Sequence, residues 1–291
     1  MVAPGPLSVL AEADRAVRAH GRALLCQIVR AEGSTPGKLG WKLLVRADGT
    51  SHGNLGGGAF EAMVKADAAA RLAEDRPVAE VKRYYLTEEA VRGEPTGMVC
   101  GGMMEVFLEP LLAAPLLVIC GGGPVGQAVA RAGALAGLDR LVVDDREEYR
   151  DPRLFPAETA TAAVGRDYGE DFLGPWRGRE LYVALVSRCW ETDAASLAAV
   201  LRQGPPRLRY LGLMGSRRKV ERVRREVAER GFDLGAVELH APIGLPIGGD
   251  SPGEIAIAIL AEMIGVRTRV EAVARPPGAE ESAAAPSQVS R

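Results

Sequence analysis

The stretch of sequence that decides the fold lies at residues 116–145 and reads LLVICGGGPVGQAVARAGALAGLDRLVVDD. It begins with a continuous apolar run, Leu116–Cys120, which is typical of a strand buried on both faces. A glycine-rich loop then opens a helix, and a second apolar run ending in two aspartates follows. Strand, loop, helix and strand in this order predict the first unit of a parallel sheet.

The glycine-rich loop carries a spaced pattern. Gly121, Gly123 and Gly126 form G-x-G-x-x-G directly after the strand and at the start of the helix. Such glycines allow a tight turn and let a pyrophosphate approach the helix N-terminus, whose free N–H groups favour anions. Asp144 lies about 20 residues further on, where a carboxylate can hold a ribose hydroxyl. The pattern predicts a Rossmann-type fold, although glycines that only permit close packing of strand and helix would look the same.

The alternation of strands and helices continues toward the C-terminus. Further strands are predicted at residues 181–187 and 208–214, between helices at 193–203, 217–230 and 254–266. Ser251 and Glu254 have the spacing of a capping box at the start of the last helix. The segment therefore predicts a doubly wound parallel sheet.

Upstream of residue 112 the pattern differs, because strands and a hairpin group around one or two helices. We therefore predict an α/β protein with an N-terminal α+β domain, residues 1–112. A Rossmann-type doubly wound parallel-sheet domain, residues 113–270, follows it. Residues 271–291 are poor in apolar side chains and are predicted to form a disordered tail.

Composition excludes several classes of function. The 36 basic residues nearly balance 38 acidic ones, for a net charge of −2, so the general basic footprint of a nucleic-acid-binding protein is missing. No apolar run approaches the ~18 residues of a membrane span, and the N-terminus has no secretory pattern. We expect a cytoplasmic protein with neither nucleic acid nor membrane as a partner. Only three histidines are present, which argues against a site built from clustered histidines.

Glycine is abundant, with 35 residues concentrated in loops beside apolar stretches, so these loops are shaped turns rather than linkers. Gly56, Gly57 and Gly58 open a predicted helix, and Glu61 lies near its first turn. A helix that starts in this way offers backbone N–H groups to an anion. We predict a second anion site there.

Two further places carry candidate binding residues. Ser216 opens a helix that bears Arg217, Arg218 and Lys219, a cationic cluster directly after a buried strand, although a solvated basic helix face is an alternative interpretation. His240, in a loop near the C-terminus, is a second candidate. It could equally be a partly buried histidine bonded to the backbone.

The four cysteines are widely spaced and contain no C-x-x-C pair, so free thiols are expected in a reducing compartment. Cys100 is the thiol candidate for chemistry, because the glycines around it, including Gly101 and Gly102, can expose N–H groups that stabilise a thiolate. A small buried hydrophobic residue is the equal alternative. Cys26, in the middle of a strand, is predicted to be core.

Several phrases together resemble one family over roughly residues 10–268. The N-terminal half contains EGSTPGKLGWKLLVRADGTSHGNLGGGAFEA and TGMVCGGMMEVFLEPL, and the C-terminal half contains CGGGPVG, VVDDREEY, YLGLMGSRRKV and HAPIGLPIGGDSPGEIAIAILAEMI. No single one of these phrases is specific for a family, but their occurrence together in this order is. The chain resembles the xanthine dehydrogenase accessory factors of the XdhC/CoxI type.

This resemblance implies a maturation protein for molybdenum hydroxylases. Such factors bind the molybdenum cofactor, as molybdopterin or its dinucleotide form, support its sulfuration with a cysteine desulfurase, and deliver it to the hydroxylase apo-enzyme. They are carriers and chaperones, and their motifs leave open whether they also catalyse a reaction; we expect a cofactor carrier or insertion factor ahead of a turnover enzyme. The phosphates of the cofactor suit the anion sites above. The predicted cofactor-binding residues are Gly56, Gly57, Gly58, Glu61, Gly101, Gly102, Gly121, Gly123, Gly126, Asp144, Ser216, Arg217, Arg218, Lys219 and His240.

The chain departs from the family pattern at two places. Pro124 stands where the family usually has a histidine in the glycine loop, and Cys189-Trp190 stands where it commonly has Gly-His. In a doubly wound sheet of order 3-2-1-4-5-6 both places face the same crevice. Cys120 and Cys189 could approach each other there as soft metal ligands or as a redox pair, or they could be two unrelated buried thiols.

Two other functions remain open. The Rossmann-type domain could bind NAD(P) or another nucleotide in an oxidoreductase, although the usual histidine acid–base group is missing from its loops. Alternatively, the chain could be a non-catalytic regulator that has lost cofactor binding. Because ligand sites favour domain interfaces, we expect Gly56–58, Cys100 and the crevice to face one cavity. A homodimer is the commonest soluble oligomer.

Overall fold

Two six-stranded sheets organise the described residues, one in each predicted domain. The computed structural model describes residues 5–86, 94–95, 101–176, 178–235 and 237–274. The first sheet is antiparallel except for one pairing at its edge, and the second is entirely parallel. This confirms the predicted fold class.

The N-terminal domain has the strand order β3-β2-β1-β6-β4-β5. Its elements are α1 (Pro6–His20), β1 (Arg22–Glu32), β2 (Lys42–Arg46), β3 (Ser51–Gly53), α2 (Gly58–Ala73), β4 (Glu80–Tyr85), β5 (Glu94–Pro95) and β6 (Met103–Leu112). Side chains alternate across β1, as the strand period requires. Leu24, Cys26 and Ile28 pack with α2, whereas Ala23 and Leu25 pack with α1. Cys26 is therefore core, as predicted.

The C-terminal domain has the order β12-β11-β10-β7-β8-β9. Its elements are β7 (Leu116–Cys120), α3 (Pro124–Leu135), β8 (Asp139–Asp144), β9 (Thr159–Ala163), β10 (Leu181–Leu185), α4 (Trp190–Gln203), β11 (Leu208–Leu213), α5 (Arg217–Glu229), β12 (Leu239–His240) and α6 (Pro252–Ala274). Counted within the domain, the order is 3-2-1-4-5-6, so the doubly wound prediction is confirmed. Strands β7 and β10 are neighbours, with Cys120 beside Leu185. The reversal of strand order between them defines the crevice.

The central strands are buried on both faces because helices cover each side of the sheet. Strands β7 and β10 are buried at every position. Helices α3 and α6 cover one face, and α4 and α5 cover the other. This arrangement explains why both strands are continuous apolar runs.

The two domains join at the amino end of the parallel strands. Asp75, just after α2, accepts from Arg209 at 2.6 and 2.8 Å, and Arg209 lies near the start of β11. Gly21, after α1, lies so close to Gly178 that a Cβ on Gly21 would come within 2.6 Å of the Gly178 backbone. The loop at Gly56–58 lies at the other end of α2. Because α2 has 16 residues and a helix rises 1.5 Å per residue, this loop is about 24 Å from the junction. The crevice lies at the opposite, carboxyl end of the strands. Gly56–58 and the crevice therefore do not face one cavity where the domains meet, and Cys100, which the prediction also included, lies outside the described residues.

Helix α6 continues to Ala274, four residues into the segment that composition predicts to be disordered. Alanine and valine near its end favour or tolerate helix. Residues 275–291 lie outside the described residues.

Candidate functional site

The glycines of the loop after β7 have two different structural roles. A Cβ on Gly121, whose φ is +117°, would lie 2.8 Å from the carbonyl oxygen of Val186, and a Cβ on Gly126 would lie 1.9 Å from that of Gly121. Gly121 therefore allows the loop to pass close to the backbone that follows β10, and Gly126 allows α3 to pack closely against the end of β7. Gly123 is different, because a Cβ there would meet no atom within 4 Å.

Gly123 marks the open side of the loop. It is the N-cap residue of α3, with φ −65° and ψ −174°, and its lack of a side chain leaves the end of the helix uncovered. Pro124 occupies the first helical position, which suits a residue without an N–H group. The remaining N–H groups of the first turn and the positive end of the helix dipole favour an anion. The sequence pattern thus places an anion-ready helix end at the crevice.

Asp144 lies beside this loop, as predicted, but its carboxylate is already engaged. Oδ2 accepts from Gly122 N–H at 2.8 Å and from Arg146 Nη2 at 3.1 Å, while Oδ1 accepts from Arg146 N–H and Nε, both at 3.0 Å. The guanidinium also lies 3.7 Å from the centre of the Tyr149 ring. A ribose hydroxyl would have to displace Arg146 to reach this carboxylate.

A second ion pair crosses the crevice. Arg188, after β10, donates to both carboxylate oxygens of Asp145, after β8, at 2.9 Å each. Because β7 lies between β8 and β10, this pair spans the carboxyl end of β7. The Arg188 guanidinium lowers the pKa of Asp145 below its usual value. The bidentate geometry makes this a stronger contact than a single surface ion pair.

Lys219 has a structural partner that the sequence did not indicate. Its ammonium forms an ion pair with Asp193, a fully buried residue in the first turn of α4. Asp193 also accepts from Ser187 N–H at 3.1 Å and from Ser187 Oγ at 2.5 Å. Burial raises the pKa of Asp193, and Lys219 and Ser187 oppose that rise. Lys219 therefore joins α5 to α4 rather than facing a ligand freely.

The other residues of the basic cluster differ in role: one caps a helix and two are exposed. Ser216 caps α5 by accepting from Lys219 N–H at 3.3 Å. Arg217 and Arg218 are exposed, which agrees with the solvated-face interpretation. Two cations at the positive end of a helix are unfavourable unless an anion approaches.

His240 lies on the edge strand β12, separated from β7 by β10 and β11. Its ring stacks on Tyr210 with centroids 4.4 Å apart, and Nδ1 lies 3.3 Å from Glu262 Oε1. Glu262 also accepts from Gly244 N–H at 2.8 Å. His240 is thus a partly buried histidine, but its partner is a carboxylate and not the backbone.

The two thiols of the crevice prediction differ in environment. Cys120 is fully buried in the core, and burial raises the pKa of its thiol. Cys189 is half-buried at the start of α4, with Sγ 3.2 Å from Thr192 Oγ1. Both are free cysteines. No group of three or more His, Cys, Asp or Glu side chains that could hold a metal occurs in the described part of the chain.

The N-terminal domain brings its own motifs together. A Cβ on Gly56 would lie 2.7 Å from the backbone of Pro36, and one on Gly102 would lie 2.3 Å from the carbonyl oxygen of Ser34. The loop at residues 33–37 therefore contacts both predicted glycine loops. Gly101 has open space around it, and its neighbour Cys100 lies outside the described residues.

Glu61 braces the loop that it follows. Its Oε2 accepts from Leu55 N–H at 2.9 Å and from Gly57 N–H at 3.2 Å, and Lys65 lies 2.9 Å from Oε1. Burial alone would raise its pKa, but these partners outweigh burial and lower it. Gly57 and Gly58 adopt positive φ in open space, so the loop keeps room on its outer side. Part of its N–H capacity is nevertheless used internally.

Sequence reasoning missed several residues at the crevice. Three of them could have been suspected from the sequence, because they lie shortly after β8 and β10 at the switch point: Arg146, Arg188 and Asp193. Tyr168 carries no such signal. It is fully buried with φ +51°, and its hydroxyl has no hydrogen-bond partner among the described residues.

The fold and the crevice define a two-domain protein whose second domain is of the Rossmann type. Family comparison agrees with this class. The XdhC Rossmann domain matches residues 117–263, and the XdhC and CoxI family model matches residues 16–85. The chain belongs to the XdhC and CoxI family.

Individual relatives extend the comparison. YqeB, an uncharacterized protein of Escherichia coli K12, is 33% identical over 263 residues, which cover 90% of this chain and 46% of YqeB. A probable xanthine dehydrogenase subunit from Bacillus subtilis 168 is 25% identical over 200 residues, covering 68% and 55% respectively. The chain spans about half the length of these curated relatives.

A solved structure is also similar along most of its length. A Bacillus halodurans protein, described as a xanthine dehydrogenase, is 20% identical with a TM-score of 0.45, covering 92% of this chain and 98% of that protein. Within the described ranges, no helix combines the length and apolarity needed to cross a membrane.

Proposed function

We propose that this chain is a maturation factor for a molybdenum hydroxylase of the xanthine dehydrogenase type. It binds the molybdenum cofactor, supports its sulfuration with a cysteine desulfurase, and delivers it to the apo-enzyme in the cytoplasm. Family membership supports this role. The observation that carries it is the uncovered N-terminus of α3 at Gly123, which fits the phosphate end of the cofactor.

The chain's own residues would hold that phosphate end. Gly123 lets the anion reach the first-turn N–H groups of α3, while Gly121 and Gly126 fix the turn that presents them. When bound, the cofactor supplies the molybdenum and sulfur chemistry of the target hydroxylase. Arg188 and Asp145 border the same crevice.

Co-purification tests the proposal. The full chain, produced in a host that makes the cofactor, should retain pterin and molybdenum, measured by fluorescence of the oxidised pterin and by elemental analysis. Adding the cognate apo-hydroxylase should transfer both and activate it. A well-folded chain that retains neither, with or without the hydroxylase, would instead favour the regulator that has lost cofactor binding.

Removing the Asp144–Arg146 contact provides a test that distinguishes a ligand with a free ribose diol from a ligand without one. Arg146→Ala should free Asp144 and tighten binding of ribonucleotides such as NADH at least about tenfold, because a hydrogen bond to a charged group contributes about 1.5–3 kcal/mol. Titration by fluorescence or calorimetry measures the change. Tight, saturable NADH binding with turnover by the unmodified chain would favour the oxidoreductase alternative.

The matched control is Arg153→Ala. Arg153 binds Asp151 with the same two-residue spacing, donating from Nε at 2.9 and 3.0 Å, but the pair lies on an exposed turn after the crevice. Nucleotide affinity should not change in this variant. An equal gain in both variants would show that the effect arises from net charge and not from Asp144.

A further inference from the structure

The carboxylate of Asp144 is saturated with hydrogen bonds from the protein itself. An ionised carboxylate offers about four acceptor positions, two on each oxygen. Its donors are the N–H of Gly122 and the N–H, Nε and Nη2 of Arg146, which fill all of these positions. Asp144 is 1% exposed, so a ligand can reach it only by displacing one of these donors. The group that holds the nucleotide ribose in Rossmann-type folds is therefore already occupied.

Arg146 is held on the face of its guanidinium as well as on its edge. The edge donates to both oxygens of Asp144, and the face lies 3.7 Å from the centre of the Tyr149 ring. A two-bond contact between guanidinium and carboxylate is stronger than a single hydrogen bond, and a cation over an aromatic ring adds attraction. A ribose that replaced Arg146 would have to break both contacts.

The turn that carries Tyr149 closes the glycine loop on the same side. A Cβ on Gly122 would lie 2.1 Å from the carbonyl oxygen of Tyr149, so the two backbone segments are in direct contact. Gly122 donates its N–H to Asp144, and its carbonyl accepts from Gln127 Nε2 at 3.1 Å. In a dinucleotide-binding fold the nucleoside lies at the end of the second strand of the domain, which here is β8. The Tyr149 turn follows β8 and occupies that place.

The next residue of the loop has open space instead. Gly123 is the N-cap of α3, and a Cβ on it would meet no atom within 4 Å. An anion can approach the first turn of α3 from this side. Closure at Gly122 and open space at Gly123 are thus one residue apart. Together they leave room for a phosphate group but not for a nucleoside that continues from it toward β8.

We propose that the crevice binds a ligand that ends in a phosphate group and excludes one in which this phosphate continues into a nucleoside. Of the two forms of the molybdenum cofactor, the chain therefore takes molybdopterin and not the dinucleotide. The naming of this cofactor rests on the proposed function. The exclusion of the nucleoside rests only on the contacts of Asp144, Arg146 and Tyr149.

Analysis of the retained cofactor tests which form is bound. The full chain is purified from a host that makes both forms, and acid hydrolysis releases a nucleoside monophosphate from the dinucleotide only. The unmodified chain should carry at least about tenfold less nucleoside monophosphate than pterin, because a nucleoside must break a charge-assisted contact. The double variant Arg146→Ala/Tyr149→Ala, with unchanged circular dichroism, should carry more nucleotide per pterin. Equal amounts in the unmodified chain would overturn this proposal and leave the proposed function intact.

Pyrophosphate and ADP test the closure without the cofactor, because only ADP carries a nucleoside. By calorimetry the unmodified chain should bind pyrophosphate at least about tenfold more tightly than ADP. The double variant should lose this preference, and the control Arg153→Ala should keep it. A preference that is absent from the unmodified chain, or that the double variant retains, contradicts the proposal even if no cofactor is bound. A chain that binds neither probe lacks the phosphate site, and the proposal then fails as well.

Discussion

Gly123→Asp should abolish cofactor retention while leaving the fold slightly more stable. The new carboxylate would cap α3 and satisfy the same N–H groups that an anion would use, and an acidic residue at a helix N-terminus is favourable. We expect the pterin and molybdenum content to fall at least about tenfold, and the free energy of unfolding to rise by about 0.5 kcal/mol. The open space around Gly123 means that the larger side chain displaces nothing.

The control variant for Gly123→Asp makes the same substitution at a helix N-cap of similar backbone geometry. Gly5 is the N-cap residue of α1, with φ −64° and ψ 158°, and a Cβ there would also meet no atom within 4 Å. Gly5→Asp should add similar helix stability and leave cofactor content unchanged. Cofactor content that survives Gly123→Asp, in protein shown to be folded by chemical denaturation, would remove the observation on which the proposed function rests.

Lys219→Met should destabilise the C-terminal domain by about 3–5 kcal/mol, because it leaves the buried Asp193 carboxylate without its cation. Chemical denaturation of the full chain would measure the loss. Replacing both members, Asp193→Asn/Lys219→Met, should recover part of it. The exposed neighbour Arg217→Met should change stability by less than about 0.5 kcal/mol.

The pH dependence gives a sharper test of this ion pair. Burial already raises the pKa of Asp193, and removing Lys219 removes an opposing influence. The folded variant would then bind a proton that the unfolded chain, with an ordinary aspartate pKa near 3.9, releases. Its stability should fall as the pH rises above that value. A loss of stability that does not change between pH 5 and 8 would show that the carboxylate is not the cause.

Local pattern predicted the architecture well because it depends on near neighbours in the chain. The apolar run at Leu116–Cys120 predicted its strand without error, and the alternation after it predicted the doubly wound order. The Ser251–Glu254 capping box also forms, with Ser251 N–H 3.0 Å from the Glu254 carboxylate. Each of these signals is contained within a few residues.

The roles of charged side chains were harder to predict. Asp144, Lys219 and Glu61 all occur in motifs that resemble ligand sites, yet each has a protein partner in the structure. A long side chain can reach several partners, and the sequence does not rank them. For Lys219 the partner, Asp193, lies on a different helix.

The sequence alone therefore determined the two domain types, the parallel sheet and the position of the anion-ready helix end, because periodicity and glycine spacing act over single elements. Tertiary structure alone decided that Arg146 engages Asp144, that Arg188 and Asp145 bridge the carboxyl end of β7, and that the domains join at the amino edge of the parallel sheet. These outcomes depend on the packing of elements that are distant in the chain. Burial then selects which charges must pair, since an unpaired charge in the interior is costly.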